Sequence, residues 1–334
     1  MPLCRDRSPS GRSSYAPLRF PTVLLVSFLL PLVAPLDFFL RAHASPAATA
    51  ASAHPCQLDR RSQLLYVNAH PYLENSPDQL IQRFPELHDL RPSADQHDLD
   101  RILSNTSRRV QSYFDSLVDL VAQEEIDQQR LNPKGAVKEK QHRRYSYIIL
   151  LNRDETPTQF EEYRTDSQGN PVDQSGPNSG FNTTSGFALI CAHFLPDNLP
   201  DSTFRYLGSE LLDSHNTYVV AFAQLPDRAS LTNFVSGEWG SEPFLVQGIA
   251  WVDQNTFEII HIRTDLLAPR NDVGLAVQST EVTFSEVQLP DSSLPLLVPY
   301  HVTVSSKYRG NAYRNDHFYS GYRRFHVSVK MAPQ

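Results

Sequence analysis

Two hydrophobic patterns divide the chain. From Leu99 to Leu131, the apolar positions Leu99, Ile102, Leu103, Val110, Phe114, Leu117, Val118, Val121 and Ile126 recur largely at helical spacing, with acids and glutamines on the other faces. Asn132-Pro133-Lys134-Gly135 then supplies a stop, so one long amphipathic helix is predicted over 99–131. Beyond residue 142 the pattern changes. Segments 145–151, 159–165, 204–208, 217–225, 244–253, 257–265, 278–289, 296–307, 312–319 and 322–330 are rich in Val, Ile, Phe, Tyr and Thr, with turn residues between most of them. They predict about ten successive strands in an antiparallel meander.

Several strands are one-sided: Val282 and Phe284 alternate with Glu281, Thr283 and Ser285, and Phe325, Val327 and Val329 alternate with Arg324, His326 and Ser328. Others, such as Val219–Phe222 and Ile259–Ile262, are apolar on both faces and need cover on both. The expected fold is α+β: a curved antiparallel β-meander, or half-barrel, with the long N-terminal helix covering its concave face. Ser185–Phe194 is an apolar stretch that suits a short helix over the sheet or a buried strand. Residues 58–98, broken by Pro71, Pro77, Pro85 and Pro92, suggest short helices on a surface, one opening at the Ser76-Pro77-Asp78 cap signal.

The N-terminus has a different character. Arg5, Arg7, Arg12 and Arg19 precede the apolar run Thr22–Leu40, and Ala42-His43-Ala44 follows, the order of a secretory signal peptide cut after Ala44. An uncleaved membrane anchor is the rival reading, which Pro31, Pro35 and Asp37 weaken. The division expected is signal peptide 1–44, flexible spacer 45–57, helical or irregular segment 58–98, and helix-plus-half-barrel domain 99–334. The location is then periplasmic or extracellular, with membrane contact only through an uncleaved signal segment. In an exported chain Cys56 and Cys191 are permitted to form a disulfide, and two buried, unpaired thiols fit almost as well. Asn105-Thr106-Ser107 and Asn182-Thr183-Thr184 fit the glycosylation pattern, which chance also produces often.

Net charge is −7, and 13 glycines are too few for a collagen-like polymer. The acidic balance gives nothing to attract nucleic acid. No nucleophile elbow, H-E-x-x-H, P-loop, G-x-G-x-x-G or C-x-x-C is present, so no cofactor or catalytic residue is expected. His301, His317 and His326 with Asp316 form the one cluster that would suit a hydrolase or metal enzyme; the competing reading is solvent-facing strand residues in cross-strand pairs. Glu124-Glu125 and Glu161-Glu162 are adjacent only in sequence, so each pair points apart and is read as part of a solvated face. Apolar strand positions give the candidate cavity lining: Val220, Phe222, Trp251, Ile260, Ile262, Val282, Phe284, Val302 and Phe325. Core filling explains Trp251 at least as well.

Gly248–Asp253 turning into Phe257–Ile260, the closing stretch Tyr313–Phe325, and the segments Phe160–Asp166 and Thr203–Gly208 resemble a family of uncharacterised exported bacterial proteins over roughly residues 66–330. More remotely, the Trp251-x-Asp253-x-x-Thr256 hairpin and the Tyr313-Arg314 ending resemble the outer-membrane lipoprotein-sorting superfamily. That likeness implies a half-open barrel closed by helices around an apolar cavity, and a non-enzymatic carrier or sensor of lipid or lipid-modified protein. An envelope interaction protein, binding a partner chain through edge strands or the 58–98 segment, is a third class.

Overall fold

Strand-forming pattern becomes strand almost throughout. The computed structural model describes residues 58, 60–152, 159–172, 186–230, 233–237, 240–290 and 295–325. Residues 1–57, where a signal peptide and a spacer are expected and which include Cys56, lie outside them, as do Asn182, His326, Val327 and Val329. The helices are α1 (Arg60–Leu64), α2 (Pro77–Arg83) and α3 (Leu99–Ser116). The strands are β1 (Arg91–Pro92), β2 (Leu120–Leu131), β3 (Val137–Asn152), β4 (Gln159–Thr165), β5 (Ser202–Leu212), β6 (His215–Gln224), β7 (Asn233–Gly237), β8 (Gly240–Phe244), β9 (Val246–Asp253), β10 (Ile259–Leu266), β11 (Leu275–Val287), β12 (Leu296–Tyr308) and β13 (Asn311–Arg324).

Eleven strands make one open antiparallel sheet in the order β1-β5-β6-β9-β10-β11-β12-β13-β2-β3-β4, while β7 and β8 form a separate hairpin. The two meanders, β2–β4 and β5–β13, are stitched together where β13 pairs with β2 along Ala312↔Leu131 to Arg324↔Leu120. The sheet must curve. Arg101 of α3 donates to the Tyr218 hydroxyl on β6 at 3.0 Å, and Phe114 of the same helix packs edge-on to Phe160 of β4, ring centroids 5.3 Å apart. Those strands are eight places apart in the sheet, about 38 Å if it were flat. The 18-residue helix is only about 27 Å long.

The predicted helix over 99–131 is corrected at its C-terminal half. α3 ends at Ser116, and 120–131 is strand β2, in which Leu120, Ala122, Glu124, Ile126 and Gln128 are buried while Gln123 is exposed. A period of two was present but disguised, because one of the inward positions is a glutamate. Within the stretch 185–194, expected as helix or strand, Ile190–Phe194 is a 3₁₀ turn lying on the sheet, and Ser185 is outside the described residues. The last two predicted strands are one, β13, as far as Arg324.

Central strands are apolar on both faces because both are covered. Inward, Val220, Phe222, Ala250 and Val252 join Ile102, Val110 and Phe114 of α3 and Phe187 and Phe194 of the 186–199 segment. Outward, Val219, Ala221, Ile249 and Trp251 join Tyr72, Leu80, Phe84, Leu87 and Leu90. The 58–98 segment is therefore a second cover, its short helices lying over the outer surface of the sheet. Its α2 starts with a capping box: Ser76 Oγ accepts from the Gln79 amide, and Gln79 Oε1 accepts from the Ser76 amide.

This outer cover also protects the edge of β5. Pro92 pairs with Gly208, and Gln96 bonds the backbone of Tyr206 through both ends of its amide. Gly208 has φ +143°, and a Cβ there would lie 2.1 Å from the Arg91 carbonyl oxygen. Gly208→Ala is expected to cost about 1–3 kcal/mol and to make 91–98 protease-sensitive before the rest of the chain. Cleavage spread evenly over the chain would show that this contact does not hold the strap.

Candidate functional site

Six of the nine candidate lining residues meet on one face. Val220, Phe222, Ile262, Val282, Phe284 and Val302 belong to the inner apolar cluster beneath α3 and the 186–199 segment. Trp251 and Ile260 lie on the opposite face, in or against the outer cluster, and Phe325 is half-buried just past β13. Trp251 is fully buried, and its indole N–H donates to Glu210 Oε2 at 2.8 Å. It is core filling between sheet and N-terminal cover. Cys191 is a buried thiol whose pKa burial pushes up.

At the rim of the inner face is a groove of about 380 Å³, lined by Leu73, Ala94, Gln96, Leu99, Thr203, Phe204 and Arg205. It lies where the start of α3 borders β5. Phe204 forms one wall and contacts Phe194 and Phe222, at ring-centroid distances of 5.3 and 6.2 Å. The Phe204 wall is thus part of the aromatic packing of the inner cluster. Arg205 is occupied elsewhere, donating Nη1 to the carbonyls of Leu73 and Asn75 at 2.9 and 2.7 Å.

At the other side of the inner face sits a buried charged network that the sequence reading placed on solvated faces. Glu124 of β2 is 0% exposed and accepts from Arg164 Nε and Nη2, from His317 Nδ1 at 2.9 Å and from the Tyr319 hydroxyl at 2.7 Å. Burial alone would raise its pKa, but Arg164 and His317 outweigh that and hold it at about 2. Burial is the largest influence on His317 and keeps its pKa below the ordinary value, against the pull of Glu124. Phe187 stands edge-on to the His317 ring at 5.1 Å. Two residues from Arg164 along β4, half-buried Glu162 accepts from the Tyr147 hydroxyl at 2.7 Å and from the backbone amides of Gly186, Phe187 and Ala188 at 2.9, 3.2 and 3.0 Å.

The expectation that both glutamate pairs lie on solvated faces is therefore corrected for Glu124 and Glu162, which face inward. Their neighbours Glu125 and Glu161 point the other way, Glu125 to an exposed ion pair with Arg144. The histidine cluster is divided as well. His317 faces inward, whereas His301 lies on the outer face, stacked on Phe318 at 4.7 Å with Nε2 3.9 Å from Asp316. Asp316 already accepts from Thr303 and Arg314. No group of three His, Cys, Asp or Glu suited to a metal ion occurs among the described residues. Alternation in 120–128 and the His317-x-Tyr319 spacing on β13 were the available signals for the network. Its partners come from three separate strands, which no local window contains.

Neither a family model nor a curated protein matches the sequence. Among solved structures the chain is similar to a DUF1329 family protein from Desulfovibrio piger, at TM-score 0.38 and 12% identity over 69% of this chain and 94% of that one. It is also similar to a putative outer membrane lipoprotein-sorting protein domain from Vibrio parahaemolyticus, at TM-score 0.36 and 12% identity over 68% and 93%. A third is Mycobacterium tuberculosis lipoprotein LppX, at TM-score 0.25 and 10% identity over 69% and 99%. The second of these carries the lipoprotein-sorting name that the remote sequence resemblance suggested. Likeness this slight leaves ligand and activity to the chain's own side chains.

Proposed function

We propose that this chain is an exported, non-enzymatic carrier or receptor for an acyl chain or a comparably apolar group, lodged between α3 and the inner face of a half-barrel sheet. The observation that carries the reading is the rim groove of about 380 Å³, bordered by Leu99 and by Phe204, which packs against Phe194 and Phe222 of the inner cluster. Its volume lies within the range of small-molecule sites. Each methylene moved from water into such a surface gains about 0.8 kcal/mol, so ten of them offset the cost of immobilising the ligand. The partner would be a lipid or a lipid-modified protein, and residues 1–44 would be the signal that brings the chain to it, followed by the 45–57 spacer. No helix among the described residues is long and apolar enough to cross a membrane.

Protein stripped of lipid should bind a fluorescent fatty acid that unlabelled palmitate displaces. Phe204→Glu should weaken that binding at least about tenfold, because it puts a charge where the chain must pass. Unchanged thermal unfolding of the variant would show that the loss is local. Absence of displacement, with ligand-free protein from the native host by native mass spectrometry, would overturn the reading.

A further inference from the structure

We propose that Glu162 is the latch of the inner cover: its carboxylate holds the start of the 186–199 segment closed over the sheet and so sets how fast the interior opens. The consequence for ligand exchange rests on the carrier reading above, whereas the latch itself does not.

Three consecutive backbone amides, those of Gly186, Phe187 and Ala188, converge on the two oxygens of this one side chain. Successive N–H groups turned to a common point make an anion-binding concavity, and here the anion belongs to β4. Glu162 has little other compensation. Arg164, the neighbouring cation on the same strand, already directs Nε and Nη2 to Glu124, and the remaining hydrogen bond comes from the Tyr147 hydroxyl. Burial pushes the Glu162 pKa up, as expected for a carboxylate turned away from water. Dependence is thus mutual: lifting the cover removes most of the groups that solvate the carboxylate, and removing the carboxylate leaves three amides without an acceptor.

The rest of the cover is held in another way. Its far end packs Phe194 against Phe204 and Phe222, and Asn198 Nδ2 donates back to the Ala192 carbonyl at 2.8 Å within the segment. At the near end, Glu162 is supplemented by the Tyr113 hydroxyl of α3, which donates to the Ala188 carbonyl at 3.1 Å, and by the Phe187 contact with His317. The segment is therefore fastened by polar bonds at 186–188 and by aromatic packing at 194. Opening begins at the polar end, with Phe194 as the pivot. Phe194 packs on Phe204, a wall of the rim groove, so lifting of 186–192 frees the inner side of that wall.

Amide hydrogen exchange on the full chain without ligand tests the latch. Glu162→Gln should speed exchange of the 186–194 amides at least about tenfold, while β6, β9 and β10 stay protected. Glu162→Asp, one methylene shorter but still charged, should give a smaller increase at the same amides, and it serves if the glutamine variant does not fold. Equal exchange in 186–194 and in the rest of the chain for both variants would overturn the latch. Stopped-flow uptake of a fluorescent fatty acid by Glu162→Gln should show faster association and dissociation with similar affinity. Faster exchange in a protein that binds no fatty acid would keep the latch and remove the carrier reading.

Discussion

Glu124→Ala is expected to be among the most damaging single changes in the chain, costing about 3–5 kcal/mol. It leaves the Arg164 guanidinium, 1% exposed, without its carboxylate, and deprives His317 and Tyr319 of their acceptor. Buried ion pairs add little net stability when formed, because desolvating both charges offsets their attraction, but breaking one strands the other. The double variant Glu124→Leu with Arg164→Met should accordingly recover most of the loss. Urea unfolding of wild type, both singles and the double measures this as a cycle; a Glu124→Ala loss below about 0.5 kcal/mol, the size of an ordinary surface change, would contradict it.

The same network predicts the shape of acid unfolding. Glu124 is held down at about 2 in the folded chain, so its stabilisation is complete above the unfolded carboxylate range and fades as pH falls through the folded value. His317, kept neutral by burial, acts in the same direction: its folded pKa lies below the unfolded one, and stability falls once pH drops below about 6.5. Stability should therefore decline steadily from about pH 6.5 toward pH 2. The Leu–Met double variant should have a flatter acid limb, and parallel limbs in the two proteins would show that these groups do not set it.

Trp251→Ala is the second large expectation, about 3–5 kcal/mol. The side chain is completely buried in the outer cluster with Tyr72, Leu80 and Leu87, stands edge-on to His261 at 4.8 Å, and gives Glu210 a hydrogen bond. Its loss opens a cavity and leaves a buried carboxylate oxygen unsatisfied. Trp251→Phe keeps most of the volume and should cost only about 1–3 kcal/mol, the share of the lost hydrogen bond. Because Trp251 lies behind the sheet, neither variant should change fatty-acid affinity while folded. Proteolysis of the 58–98 cover ahead of global unfolding would mark where the weakness falls. A Trp251→Phe protein with sharply reduced affinity would place this residue in the ligand path after all.

Most of the strand content, the antiparallel succession of β5, β6 and β9 to β13 and the need for cover on both faces were legible along the chain, because alternating or continuous apolar runs act within a few residues; the β7–β8 hairpin was not. The capped start of α2 was legible for the same reason: Ser76, Pro77 and Gln79 satisfy one another locally. The end of α3 was not. Leu117, Val118, Val121 and Ile126 satisfy a helical stripe and an extended strand alike, and β2 prevails because β3 and β13 provide partners on both sides. Those partners include residues almost two hundred positions away, beyond the reach of local spacing. Likewise, a glutamate in a polar dipeptide reads as solvated until an arginine from another strand meets it.

The sequence by itself determined that this chain makes a mostly antiparallel sheet with apolar central strands, since backbone extension and side-chain alternation are local properties. Only the tertiary structure decided which face each residue serves: Phe222 under the inner cover, Trp251 under the outer one, Glu124 and Glu162 turned inward to hold charge and cover in place. Facing is set by which strands pair and in what register, and a shift of one residue would exchange the two sides.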